Sequence, residues 1–138
     1  MDNTTSEPIR LASLAVKKDR VVARVVISDE RYRYTTPHIA DLIGQQFPTL
    51  AMHACVNATG KTFGHVMECT SMAHLLEHLV IELQTRACEN EAAVFTGTSE
   101  WLDEAAGVAC VQVSFKDDLE ALRAFNNATH FLNTAVLV

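Results

Sequence analysis

Residues 74–78 read His-Leu-Leu-Glu-His, two imidazoles four positions apart with a carboxylate just before the second. On a helix this spacing sets His74 and His78 on one face, about one turn apart, where both rings can reach a single divalent cation. Glu77 shares that face and is placed to take a proton from a water activated by the cation. The order H-x-x-E-H inverts the zinc-protease signature, and the chemistry it implies is metal-assisted hydrolysis. The competing reading is a surface helix whose His and Glu simply pair at i, i+3 and i+4.

One helix cannot complete such a site, because a catalytic zinc takes three protein ligands and keeps a position open for water. The best donors elsewhere are His53 and Cys55, which an extended segment would turn to the same side of a strand. His65, Glu68 and Cys110 are weaker candidates. Glu82 lies about 12 Å along the helix axis from His74, too far to share a metal with it. Its expected role is to orient His78 from behind. His38 and His130 lie in helices with no second ligand-type residue a turn away, and they read as ordinary helical histidines.

The helix that positions these groups is expected over residues 71–87. Met72, Leu75, Leu76, Leu79, Val80, Leu83 and Ala87 form one apolar stripe at helical spacing, ready to pack on a sheet. His74, Glu77, His78 and Thr85 point the other way, with Ile81 among them and Glu82 at the edge. That second face carries no Lys or Arg before Arg86, so it is expected to line a cleft and not open water.

The remaining elements follow from periodicity. Residues 9–16 and 20–27 read as β-strands joined by a hairpin at Lys17-Lys18-Asp19, and the alternation of Arg31 to Tyr34 extends that sheet at an edge. Thr36-Pro37 opens a helix carrying Ile39, Leu42, Ile43 and Phe47. Residues 49–56 read as a short strand, 57–64 as a loop and 92–96 as a strand. A polar loop then holds Trp101, and 108–115 reads as a strand. Asp117 caps a closing helix with Leu119, Leu122, Phe125, Thr129 and Leu132 inward. This order predicts an α+β two-layer sandwich, a mostly antiparallel sheet with helices on one face. The expected organisation is a single domain over 1–138, with a β-hairpin region at 1–35 and an α+β core at 36–138.

Length and composition fit that expectation: 138 residues, 49% hydrophobic, and few Pro or Gly. No apolar run is long enough for a membrane span, and the polar start lacks a secretion signal, so a cytoplasmic protein is expected. Seven of the eleven Lys and Arg fall in the first 33 residues, which leaves an acidic body and argues against nucleic acid as partner. The basic stretch is either the solvated face of the hairpin or a local anion site. The four cysteines have no C-x-x-C pairing and read as small buried hydrophobes, Cys55 least so.

The stretch His74-Leu-Leu-Glu-His-Leu-Val-Ile-Glu-Leu-Gln84 resembles the "GH-x-x-EH-x-ALELQ" segment of the N-terminal domain of cyanophycin synthetases. Phe47-Pro-Thr-Leu…His53-Ala-Cys55 is similar to that domain's "LP-x-L…H-x-C", Thr62-Phe63-Gly64 to its glycine-phenylalanine turn, and the stretch from Gly107-Val108 to its "GVY-x-VV" strand. The resemblance covers roughly residues 36–132. The five residues of the motif are also shared with pitrilysin-type metallopeptidases and with enzymes that cleave S-ribosylhomocysteine. In some cyanophycin synthetases this domain is itself a metal-dependent hydrolase that cuts the polymer, an aspartate backbone bearing arginines. The resemblance therefore implies a stand-alone domain of that kind, without the ATP-using parts. Two segments depart from the family pattern. Cys69-Thr70-Ser71-Met72 stands where the family has "GTW", and Thr96-Gly97-Thr98-Ser99 replaces a basic "GRTR" loop. Without those arginines, cyanophycin itself is disfavoured as substrate.

Two functions are expected from these residues. One is a zinc-dependent hydrolase of a peptide or amino-acid-polymer amide bond, with His74 and His78 as ligands, His53 or Cys55 completing the set and Glu77 as general base. The other is a non-catalytic assembly or partner-binding module that keeps the fold. The apolar content is compatible with a homodimer.

Overall fold

The computed structural model describes residues 7–54, 62–90 and 92–138. Strands β1 (Arg10–Val16) and β2 (Arg20–Val26) form the expected hairpin, followed by helix α1 (Pro37–Gln46) and helix α2 (Met72–Ala87). Strands β3 (Gly97–Asp103) and β4 (Val108–Ser114) make a second hairpin, and helix α3 (Asp118–Val136) closes the chain. The four strands lie in the order β1-β2-β4-β3, all neighbours antiparallel. The first hairpin is thus no appendage, because β2 sits inside the sheet against β4.

Alternation decides which face of the sheet is covered. Val21, Ala23 and Val25 of β2 and Ala109, Val111 and Val113 of β4 are wholly buried, while the residues between them are partly or fully exposed. The buried face meets the helices, α2 over β3 and β4 and α3 over β1 and β2. This is an α+β fold with its helices on one face. In α2 the stripe Met72, Leu75, Leu76, Leu79 and Val80 is fully buried, each side chain contributing roughly 1.5–3 kcal/mol. Leu83 is only partly buried and Ala87 is exposed, since the helix runs past the edge of the sheet. On α3, Phe125, Thr129 and Leu132 face inward with Ala121, Ala124 and Ala128, but Leu119 is 66% exposed. Leu119 stands two residues before the buried Ala121, about 200° around the helix, and so falls on the outer face.

Several local expectations are corrected. Arg31 to Tyr34 form no edge strand. The Asp29 carboxylate accepts the Arg31 N–H and turns Glu30–Tyr32 into a 3-10 turn, and Tyr34 makes only an isolated bridge to Ser71. Arg33 fastens the same turn by donating to the carbonyls of Ile27, Ser28 and Ala105. Beside it, Gly107 adopts φ 73° in the β3–β4 turn, where a Cβ would stand 2.0 Å from the Ile27 carbonyl oxygen. Leu50–Met52 is likewise a 3-10 turn and not part of a strand, with His53 extended after it. The strand expected at 92–96 begins at Gly97 instead and contains Trp101, which packs near Tyr34. An edge strand with one exposed face, Thr98, Glu100 and Leu102 outward, reads in sequence as a loop. Cys69 is exposed, with Met67 and Met72 taking the interior positions around it, and Cys88 and Cys110 are partly exposed.

Candidate metal and catalytic site

The site begins at the N-terminus of α2. Ser71 caps the helix, its hydroxyl accepting the His74 N–H at 3.0 Å, so the histidine pair starts in the first turn. His74 Nε2 and His78 Nε2 then face each other at 3.2 Å. The other nitrogen of His74, Nδ1, lies 2.8 Å from the Thr70 hydroxyl. Phe63 holds both rings: it stacks on His78 with centroids 4.1 Å apart and meets His74 edge-on at 5.0 Å. The face is sheltered as expected, with His78 3% and Glu77 6% exposed.

Glu77 is pressed against β3. A Cβ on Gly97 would come within 2.9 Å of Glu77 Cγ and 3.2 Å of Oε2, so glycine is what makes room for the carboxylate there. Its Oε2 is 4.0 Å from His78 Nε2. Burial raises the Glu77 pKa to about 7, with the Ser99 hydroxyl beside it pulling the other way. Burial, with His74 and His53 as neighbours, pushes His78 down to about 3, and burial lowers His74 as well. At neutral pH both rings are therefore neutral, the form that ligates a metal, and His78 and Glu77 are not an ion pair.

His53 reaches the site from the opposite side. Its Nδ1 is 3.1 Å from His78 Nδ1, the nitrogen turned away from His74, and its Nε2 is 2.8 Å from Glu82 Oε1. Glu82 is 5% exposed, and its other oxygen accepts from Thr49 at 2.7 Å and Arg86 at 3.0 Å. Burial alone would raise the Glu82 pKa, but the donors Thr49, His53 and Arg86 outweigh it and hold the carboxyl below its ordinary value. Glu82 thus bonds His53 and not His78 directly. Rotation along the helix, about 100° per residue, sends it toward the 49–53 segment. Cys55 lies outside the described residues. Cys110 points to the uncovered side of the sheet, between Arg24 and Glu100 in register, and His65 pairs with Thr62.

A cleft of about 500 Å³ opens over this group, lined by His53, His74, Glu77, His78 and Ile81 on one side and by residues 93–98 on the other. Among the described residues, no Lys or Arg lines it. Phe63 and Gly97 are participants the sequence does not point to, since each acts by contact with residues distant in the chain, and Thr70 joins them from four residues before His74. His74, Glu77 and His78 offer ligand atoms within 4.8 Å of one another, a group able to hold a metal ion. The donors fit zinc: two nitrogens at about 2.0–2.1 Å from a tetrahedral zinc stand roughly 3.3 Å apart, close to the spacing of the facing Nε2 atoms.

Fold and site together define an α+β domain that sets an H-x-x-E-H helix against the edge strand of its sheet. Residues 24–137 match the family of the cyanophycin synthase-like N-terminal domain, and the chain belongs to that family. No curated protein matches the chain significantly. Among the described residues, no helix is long and apolar enough to cross a membrane.

Proposed function

We propose that this domain is a zinc-dependent hydrolase of a peptide or amide bond, with His74 and His78 as ligands through Nε2 and Glu77 as general base. The observation that carries the reading is the pair of neutral imidazole nitrogens 3.2 Å apart beside a buried carboxylate of pKa about 7, at the floor of a cleft. Zinc held there supplies Lewis acidity, which acidifies water and polarises a carbonyl. Glu77 takes the proton of the attacking water at its cleft-side oxygen and returns it to the leaving amine nitrogen as the C–N bond breaks. A base with pKa near 7 can do both at neutral pH. Phe63 and Gly97 keep the rings and the carboxylate from turning away. Cys55 is the remaining donor of the sequence set for the third ligand position, since His53 addresses the far nitrogen of His78. The uncharged far wall favours a peptide-like chain over the highly charged cyanophycin.

Zinc analysis of the purified wild type and of the His74→Ala, His78→Ala and Cys55→Ala variants tests this. The expected result is zinc near one per chain in the wild type and its loss in both histidine variants. Equal, near-zero metal in all four proteins overturns the reading. The uncharged wall also favours a second reading, a partner-binding module that retains the metal without hydrolysis. The two divide on Glu77→Gln, which abolishes amide hydrolysis in the first case and leaves zinc content and partner binding unchanged in the second.

A further inference from the structure

We infer that Glu82 and His53 form a positioning relay that fixes the tautomer of His78, so that its Nε2 lone pair always faces His74. The inference rests on the metal-site reading for its purpose, but its geometry stands apart from any bound ion. Arg86 Nε can only donate, and it does so to Glu82 Oε2 together with the Thr49 hydroxyl. That leaves Oε1 as an acceptor 2.8 Å from His53 Nε2, which must therefore carry the hydrogen. With that hydrogen on Nε2, His53 presents the lone pair of Nδ1, 3.1 Å from His78 Nδ1. Only one of two nitrogens in contact can hold the proton, so it sits on His78 Nδ1 and leaves Nε2 bare. On the other side, the Thr70 hydroxyl, which can donate or accept, lies 2.8 Å from His74 Nδ1. Carboxylate–histidine contacts behind a ligand ring commonly act in this way, fixing its orientation and basicity.

The relay makes a specific forecast for Glu82→Gln, which keeps the size of the side chain. Arg86 and Thr49 will hold the new amide oxygen, turning its NH2 toward His53 Nε2. Every bond then reverses: His53 donates from Nδ1, and His78 becomes protonated at Nε2, where zinc would have to displace the hydrogen. The experiment is long-range 1H–15N correlation of metal-free protein at pH 8, with zinc affinity measured by competition against a chelator. In the wild type, His78 is expected as the Nδ1–H form and His53 as Nε2–H. Glu82→Gln is expected to invert both and to weaken zinc about 10–100-fold. His53→Gln, which can accept from His78 through its oxygen and donate to Glu82 through its nitrogen, is expected to keep the Nδ1–H form, whereas His53→Leu is not. His78 found protonated at Nε2 in the wild type overturns the relay, as does a tautomer unchanged in Glu82→Gln. A wild type with the stated tautomers but no affinity for zinc refutes the hydrolase reading and leaves the relay standing.

Discussion

Glu77 should make the metal-free domain less stable as pH rises, and Glu77→Gln should remove that dependence. Its pKa is raised from 4.5 to about 7, so between these values the native state holds a proton that the unfolded chain has released. Stability therefore falls with pH across that window, by about 2–3 kcal/mol between pH 5 and pH 8, taking about 1.4 kcal/mol per pKa unit. The lowered pKa values of His78 and His74 act in the opposite sense, since these rings must be charged at a cost as pH falls. Those contributions are common to both proteins and cancel in the difference. Urea unfolding of chelator-treated wild type and Glu77→Gln at pH 5, 6.5 and 8 gives the comparison. The variant should gain on the wild type progressively, most of the gain arriving by pH 7. A difference constant to within about 0.5 kcal/mol would show that the carboxyl is not desolvated as described, and the case for a base near pKa 7 would fall with it.

Gly97→Ala should separate stability from activity. The new methyl meets the Gln112 carbonyl oxygen at 2.8 Å and Glu77 Cγ at 2.9 Å, so we expect a loss of roughly 1–3 kcal/mol in denaturant titration. Amide hydrolysis should fall by more than the folded fraction explains, because the carboxylate must move. Phe63→Ala removes a wholly buried ring and should cost about 3–5 kcal/mol in thermal or urea unfolding. Zinc affinity should drop with it, since the ring is what His78 stacks on; unchanged affinity in the folded variant would show that Phe63 only fills space.

What could be read from residue order was the part set by local periodicity. The alternation of β2 and β4, the apolar stripe of α2 and the caps Thr36 and Asp117 need no distant partner to be recognised, and all are found. The errors have one origin. At 31–34, 49–53 and 92–103 the pattern was short or mixed. The outcome there depended on contacts from elsewhere, such as the Asp29 cap, Arg33 on carbonyls six and 72 residues away, and β4 recruiting an edge strand.

The same division holds at the site. Helical geometry places His74, Glu77 and His78 together from their spacing, because three and four residues make a turn in any helix. No spacing rule brings His53 behind His78, gives Glu82 to His53, or lays Gly97 against Glu77. Those contacts join segments 20 to 30 positions apart, and they exist because α2 buries one face on the sheet and its other face under residues 49–53, 63 and 93–98. Burial on both sides turns a row of helical side chains into groups with shifted proton affinities, since desolvation is a property of packing and not of residue order.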